Sequence, residues 1–153
     1  MTKTMVAGCS LVAVITLGCS SPTSVRIRAL TAEGANNELA LDERYDGELL
    51  RVTGSVEKVG YWRSKVVKVD YSSGPFGGTA TGTSGYKETP YVALRPDEGK
   101  ADALLYCYFS PDDRAELAAL NRGQTLTLDG MYVGFRRDRG VSMVSLRECS
   151  IAD

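Results

Sequence analysis

From Glu48 the apolar and polar positions of the chain alternate. Leu50, Val52, Gly54 and Val56 share one side, and Arg51, Thr53, Ser55 and Glu57 the other, the period of a half-buried strand. A glycine at 54, inside the strand, predicts a bend or bulge. Gly60-Tyr61-Trp62-Arg63-Ser64 reads as a turn, and Val66, Val67 and 69–71 as a second strand. A Gly/Thr/Ser-rich stretch follows, giving a flexible insertion over 72–90 before Tyr91-Val92-Ala93-Leu94 resumes the strand. Residues 103–109 form a third strand with Leu105, Cys107 and Phe109 inward. Residues 125–133 form a fourth, with Leu126, Leu128 and Gly130 inward. Gly134 to Gly140 is a basic connection, and 141–146 a fifth strand, after which Cys149 and Ile151 continue the apolar pattern one residue out of phase.

Helical spacing occurs twice. Ala29, Leu30, Ala32, Leu39, Ala40 and Leu41 predict a short N-terminal helix interrupted at Gly34 and Asn36-Asn37, with a turn at Tyr45-Asp46-Gly47. Ser110-Pro111-Asp112-Asp113 supplies a cap, a proline in the first turn and two acids, so a short helix starts there and stops at Asn121-Arg122-Gly123. The order β-β-β-α-β-β with glycines inside strands one and four is that of a mainly β protein, a five-stranded OB-fold Greek-key barrel.

Ahead of this domain lies a leader. Lys3 gives a positive start, 5–17 is mostly apolar, and Thr16-Leu17-Gly18-Cys19 ends the run before a polar Ser20-Ser21-Pro22-Thr23-Ser24. The apolar run is shorter than the ~20 residues a spanning helix needs. It predicts a lipoprotein signal peptide over 1–18, lipidation at Cys19, a tether over 19–28 and one domain over 29–153. Val6-Ala7-Gly8-Cys9 has a similar pattern, but too few residues precede it. The membrane partner is then the lipid anchor, and the expected location is the cell envelope. Ser20 beside the lipid-bearing cysteine resembles outer-membrane sorting, to the periplasmic face, in Gram-negative cells.

Cysteine counting agrees with export. Without Cys9 and Cys19, the pair Cys107 and Cys149 remains, and an oxidising compartment favours a disulfide over two free thiols. The third and fifth strands of the expected barrel are neighbours, so the two cysteines can meet. Loss of Lys3 with the leader leaves 17 basic against 19 acidic residues. A net charge of −2 and export both argue against a nucleic-acid partner.

Leu50-Arg51-Val52-Thr53-Gly54-Ser55-Val56, Tyr106-Cys107-Tyr108-Phe109, the run from Leu120 to Gly130 and Leu146-Arg147-Glu148-Cys149-Ser150-Ile151 together resemble the tRNA_anti-like OB-fold family. The resemblance covers 29–151 and implies a small exported bacterial protein, often a lipoprotein, of unassigned function. Met131 stands where members often carry a cysteine, and the insertion before Tyr91 is unusual for them.

The chain has no histidine, which excludes Ser-His-Asp and Cys-His catalysis and histidine metal sites. The carboxylates Asp42-Glu43, Asp97-Glu98 and Asp112-Asp113-Glu116 fall on turns and a helix start, where solvation and capping account for them. No enzyme, cofactor or metal is expected. Binding is the stronger expectation, through the first-to-second and fourth-to-fifth strand loops. These carry Tyr61, Trp62, Arg63 and Lys65 on one side and Tyr132, Phe135, Arg136, Arg137 and Arg139 on the other. Rings beside arginines can engage an envelope protein or polymer. The alternatives are a nucleic-acid or oligosaccharide binder, and a purely structural lipoprotein in which Trp62 plugs the barrel end and the arginines are a solvated hairpin.

Overall fold

A computed structural model describes residues 21–74, 77–96 and 102–152, with 69–81 described by backbone alone. The leader, Cys19 and the Asp97-Glu98 pair lie outside the described residues. The elements run β1 (Thr23–Ser24), α1 (Ile27–Asn36), α2 (Glu38–Tyr45), β2 (Leu49–Gly74), β3 (Gly77–Arg95) and β4 (Ala103–Tyr108). A 3-10 turn (Pro111–Asp113), α3 (Arg114–Ala118), β5 (Thr125–Asp138) and β6 (Val141–Ile151) follow. The protein is mainly β, a six-stranded sheet in the order β1-β2-β3-β4-β6-β5, in which β2 also pairs with β5. No helix of the described residues is long and apolar enough to cross a membrane.

The alternation from Glu48 places Leu50, Val52 and Val56 in the core, where β5 meets them antiparallel, Val52 opposite Leu128. The bend expected at Gly54 has its irregularity slightly later, a register skip between Val56 and Lys58. β4 buries Ala103, Leu105 and Cys107 and lies parallel to β6, Cys107 opposite Leu146. Asn37 separates the two N-terminal helices, its side chain accepting from Ala40 N at 3.1 Å to cap α2. The Ser110 cap expected at this helix start is made ahead of α3, and Asp113 returns it by accepting from the Ser110 backbone.

Several expectations are corrected. Gly60 to Ser64 is no turn but mid-β2. Of the expected insertion, 72–74 end β2 and 77–90 begin β3, paired residue for residue up to Gly74 opposite Gly77. Glycine and threonine contribute little packing, yet alternate residues there bond their backbones across the ribbon to the facing arm, while the intervening groups face outward. The expected tether also enters the fold earlier: Thr23 and Ser24 pair with Leu50 and Arg51, and Ile27 is buried. The basic connection shrinks to Arg139-Gly140, both at positive φ, the geometry of a two-residue hairpin turn.

Two bulges set the phase of the last hairpin. Between Asp129/Met131 and Ser150/Arg147, β6 carries an extra residue, with Glu148 at φ 52°. Leu146 and Cys149, three apart, therefore both face inward. The Cys107–Cys149 disulfide forms there, with Cα atoms 5.8 Å apart, a normal span for the bond. A second bulge, at Val133 on β5, shifts the phase after the inward Tyr132 so that Phe135 faces the core as well.

Candidate functional site

The outward faces of β3 and β4 are tyrosine-rich. Register sets Tyr91 opposite Tyr108 and Ala93 opposite Tyr106. Because Leu105 and Cys107 point inward, Tyr106 and Tyr108 must point out. The rings of Tyr91 and Tyr106 lie 5.5 Å apart and those of Tyr91 and Tyr108 6.1 Å, a tilted cluster of the kind aromatic quadrupoles favour. Gly60, opposite Tyr91, makes room for it: a Cβ there would sit 3.0 Å from the Tyr91 hydroxyl.

From either flank the sheet adds polar and apolar groups. On β6, Met143 and Ser145 pair with Leu104 and Tyr106, and on β5 Arg136 pairs with Met143. On the other flank β2 brings Trp62. The result is a cleft of about 150 Å³ lined by Trp62, Tyr91, Tyr106, Tyr108, Arg136, Met143 and Ser145. Burial raises the Tyr108 phenol above its ordinary value, Tyr106 adding to the push and Arg136 opposing it. Tyr108 is therefore a neutral hydrogen-bond donor across the physiological range. The lining holds three phenols, an indole N–H and a guanidinium with no carboxylate, so it suits the face of a ring, planar or pyranose, that is neutral or anionic.

Of the residues expected to bind, the structure brings only Trp62 and Arg136 into this cleft. Tyr61, Arg63 and Lys65 lie on the opposite face of the same ribbon, because side chains alternate. There Arg114 stacks over Tyr61 at 5.1 Å and Arg63 Nε donates to Glu88 Oε1 at 2.7 Å. Arg137 and Arg139 are exposed at the β5–β6 hairpin end. Tyr132 and Phe135 are corrected: at 2% and 8% exposure they are core residues, Tyr132 in phase with Leu126, Leu128 and Gly130 and Phe135 returned inward by the Val133 bulge. Tyr132 donates to Asp42 Oδ1 at 2.6 Å, and Phe135 packs on Gly34. Asp113 accepts from Ser110 N at 3.1 Å, so two of the sequence's carboxylate candidates serve packing and capping.

Tyr91, Tyr106, Tyr108, Met143 and Ser145 were not foreseen. The signal was present in the third strand, since the alternation that turns Leu105 and Cys107 inward leaves its two tyrosines outside. A larger cleft of about 580 Å³ is lined by Ser24, Arg26, Arg28, Arg51, Thr53 and Pro96 among others. Its size is not matched by its chemistry: no aromatic ring lines it among the described residues, and Asp129 already engages Arg51 through two hydrogen bonds of 2.7 and 2.6 Å.

No protein-family model matches the chain, and no curated protein matches it. Among solved structures it is similar to a candidate nucleic acid-binding lipoprotein from Klebsiella pneumoniae subsp. pneumoniae. The likeness has a TM-score of 0.57 at 15% identity and covers 86% of this chain and 92% of that one. At that identity the shared property is the fold.

Proposed function

We propose that the protein is an exported, lipid-anchored binding module, not an enzyme, that holds a ring-shaped unit of an envelope polymer in the tyrosine cleft. The carrying observation is the convergence of Trp62, Tyr91, Tyr106, Tyr108 and Arg136 on one opening of about 150 Å³. A cavity of that size takes a single six-membered ring, as engineered cavities of ~150 Å³ take benzene. A sugar ring stacks its C–H face on tyrosine and tryptophan while its hydroxyls reach the phenols and Arg136.

The fold reading that goes with this is an OB-fold barrel of the tRNA_anti-like kind. The circuit of pairings β2-β3-β4-β6-β5 and back to β2 supports it, as does the parallel β4–β6 pair. The helix between β4 and β5 is the remaining feature of that topology. In this fold β3 and β4 supply the usual binding face, which is where the cleft lies. Anchoring at Cys19 rests on the leader pattern and on the lipoprotein name of the Klebsiella neighbour. Two or more acyl chains would hold the domain stably at the membrane, on the outer-membrane periplasmic face in a Gram-negative cell.

The same neighbour's name favours one second reading, single-stranded nucleic acid stacked on the tyrosines. One experiment separates the two. The chain has a single tryptophan, Trp62, so its fluorescence reports on the cleft. Titration of the purified protein with glycan-strand oligosaccharides is expected to change Trp62 emission, and Tyr106→Ala, which removes one stacking face, to weaken binding. A response to oligothymidylate alone, falling steeply with salt, would favour the nucleic-acid reading. No response to either ligand overturns both.

A further inference from the structure

The cleft's tryptophan sits just past the point where the sheet stops supporting the ribbon. β3 pairs with β4 only as far as Tyr91 opposite Tyr108. From Thr89 outward it pairs with β2 alone, a two-stranded arm that extends roughly 40 Å from Trp62 to Gly74 at ~3.3 Å per residue. Two-stranded ribbons are marginal by themselves and twist more than wide sheets. Trp62, opposite Thr89, is one pair beyond Tyr61–Pro90, so its place over the tyrosines depends on how the ribbon leaves the sheet.

A cluster on the other face controls that exit. Arg63 and Glu88 form a cross-strand pair, with Arg63 Nε on Glu88 Oε1 at 2.7 Å. Arg114 Nη2 lies 3.7 Å from the second carboxylate oxygen, and the same guanidinium stacks over Tyr61 at 5.1 Å. Arg114 opens α3 directly after the 3-10 turn that Ser110 caps, and the adjoining Phe109 N–H donates to Pro90 O at 2.9 Å. One arginine on the helix thus grips both arms of the ribbon root, β2 through Tyr61 and β3 through Glu88.

We propose that Arg114 and Glu88 are positioning residues that fix Trp62 over the tyrosine cleft from the opposite face of the ribbon. Their relevance to ligand binding rests on the cleft being the ligand site. The latch itself is testable without a ligand, because Trp62 is the only tryptophan. In the unliganded protein, Arg114→Met and Glu88→Gln are expected to raise the acrylamide quenching constant of Trp62 and add a fast component to its anisotropy decay. Arg114→Lys, which keeps the charge but loses the flat stack on Tyr61, is expected to fall between. Arg114 is half exposed and Glu88 a third exposed, and Glu88→Gln keeps the side chain's shape, so far-UV circular dichroism and the urea midpoint should stay near wild type. Unchanged quenching and anisotropy in both variants would overturn the latch. A shifted Trp62 signal alongside failed glycan titrations would uphold the latch and sink only the ligand reading.

Discussion

Tyr132 donates its hydroxyl to Asp42 Oδ1 at 2.6 Å, tying β5 to α2 across the core. The two residues lie 90 positions apart in the chain, and the Tyr132 ring also meets Tyr45 at 6.0 Å. This contact docks the helical layer on the sheet. Tyr132→Phe removes the donor and leaves a half-buried carboxylate without it, which is expected to cost about 1–3 kcal/mol in urea unfolding. A loss within error of zero would mean that α2 is held by apolar packing alone.

The same contact has a pH signature. Burial, then the Asp42 hydrogen bond, raises the Tyr132 phenol well above its ordinary value. A raised folded value means that the stabilisation is complete below the unfolded value near 10 and is lost as pH climbs from there toward the folded one. The wild type is therefore expected to lose stability above pH ~10 more steeply than Tyr132→Phe. Parallel curves for the two proteins would contradict the assignment.

At the acid end, the Arg51 hydrogen bonds hold the Asp129 carboxyl below its usual range. A depressed folded value gives stability that is present above the unfolded value of ~3.9 and lost as pH falls through the folded one. Asp129→Asn is expected to be less stable at neutral pH and to show a flatter profile in that acid window. An acid limb unchanged by the substitution would assign the acid sensitivity to other carboxylates.

Phe135 leans on Gly34 so closely that any side chain there would enter the ring. Gly34→Val is expected to displace Phe135 and cost about 1–3 kcal/mol by overpacking. A Gly34→Val protein with the wild-type urea midpoint would show that the α1–β5 contact is loose.

Cys107 and Cys149 close a loop of 42 residues. Reduction is expected to remove about 4 kcal/mol in the chain-entropy treatment and to lower the thermal midpoint accordingly. An unchanged midpoint under strong reductant would argue that the folded state owes nothing to the bridge.

Period-two alternation made the order of the five main strands legible in the sequence, the Ser110-Pro111 start marked the helix between the third and fourth, and cysteine counting gave the Cys107–Cys149 pair. The slip before Cys149 was legible as well, and the Glu148 bulge is its cause. What failed was the assignment of Tyr132 and Phe135 to a binding loop: Tyr132 continues the inward phase of Leu126, Leu128 and Gly130, and the extra residue at Val133 brings Phe135 back to the core. The ribbon was missed for another reason. Residues 77–90 have too little side-chain bulk to announce a strand, and only the partner strand reveals them. Trp62 and Arg136 were found because aromatic and basic residues stand out. Tyr91, Tyr106 and Tyr108 were passed over because they sit in strands read only for their inward positions.

The central claim, that the tyrosine cleft is where this protein engages its ligand, is tested most directly by photocrosslinking in living cells. A photoreactive residue at position 62 is compared with one at position 43, exposed on α2. The account predicts an adduct carrying envelope glycan at position 62 and none at position 43. Equal capture at both positions, or no adduct at 62, would contradict it.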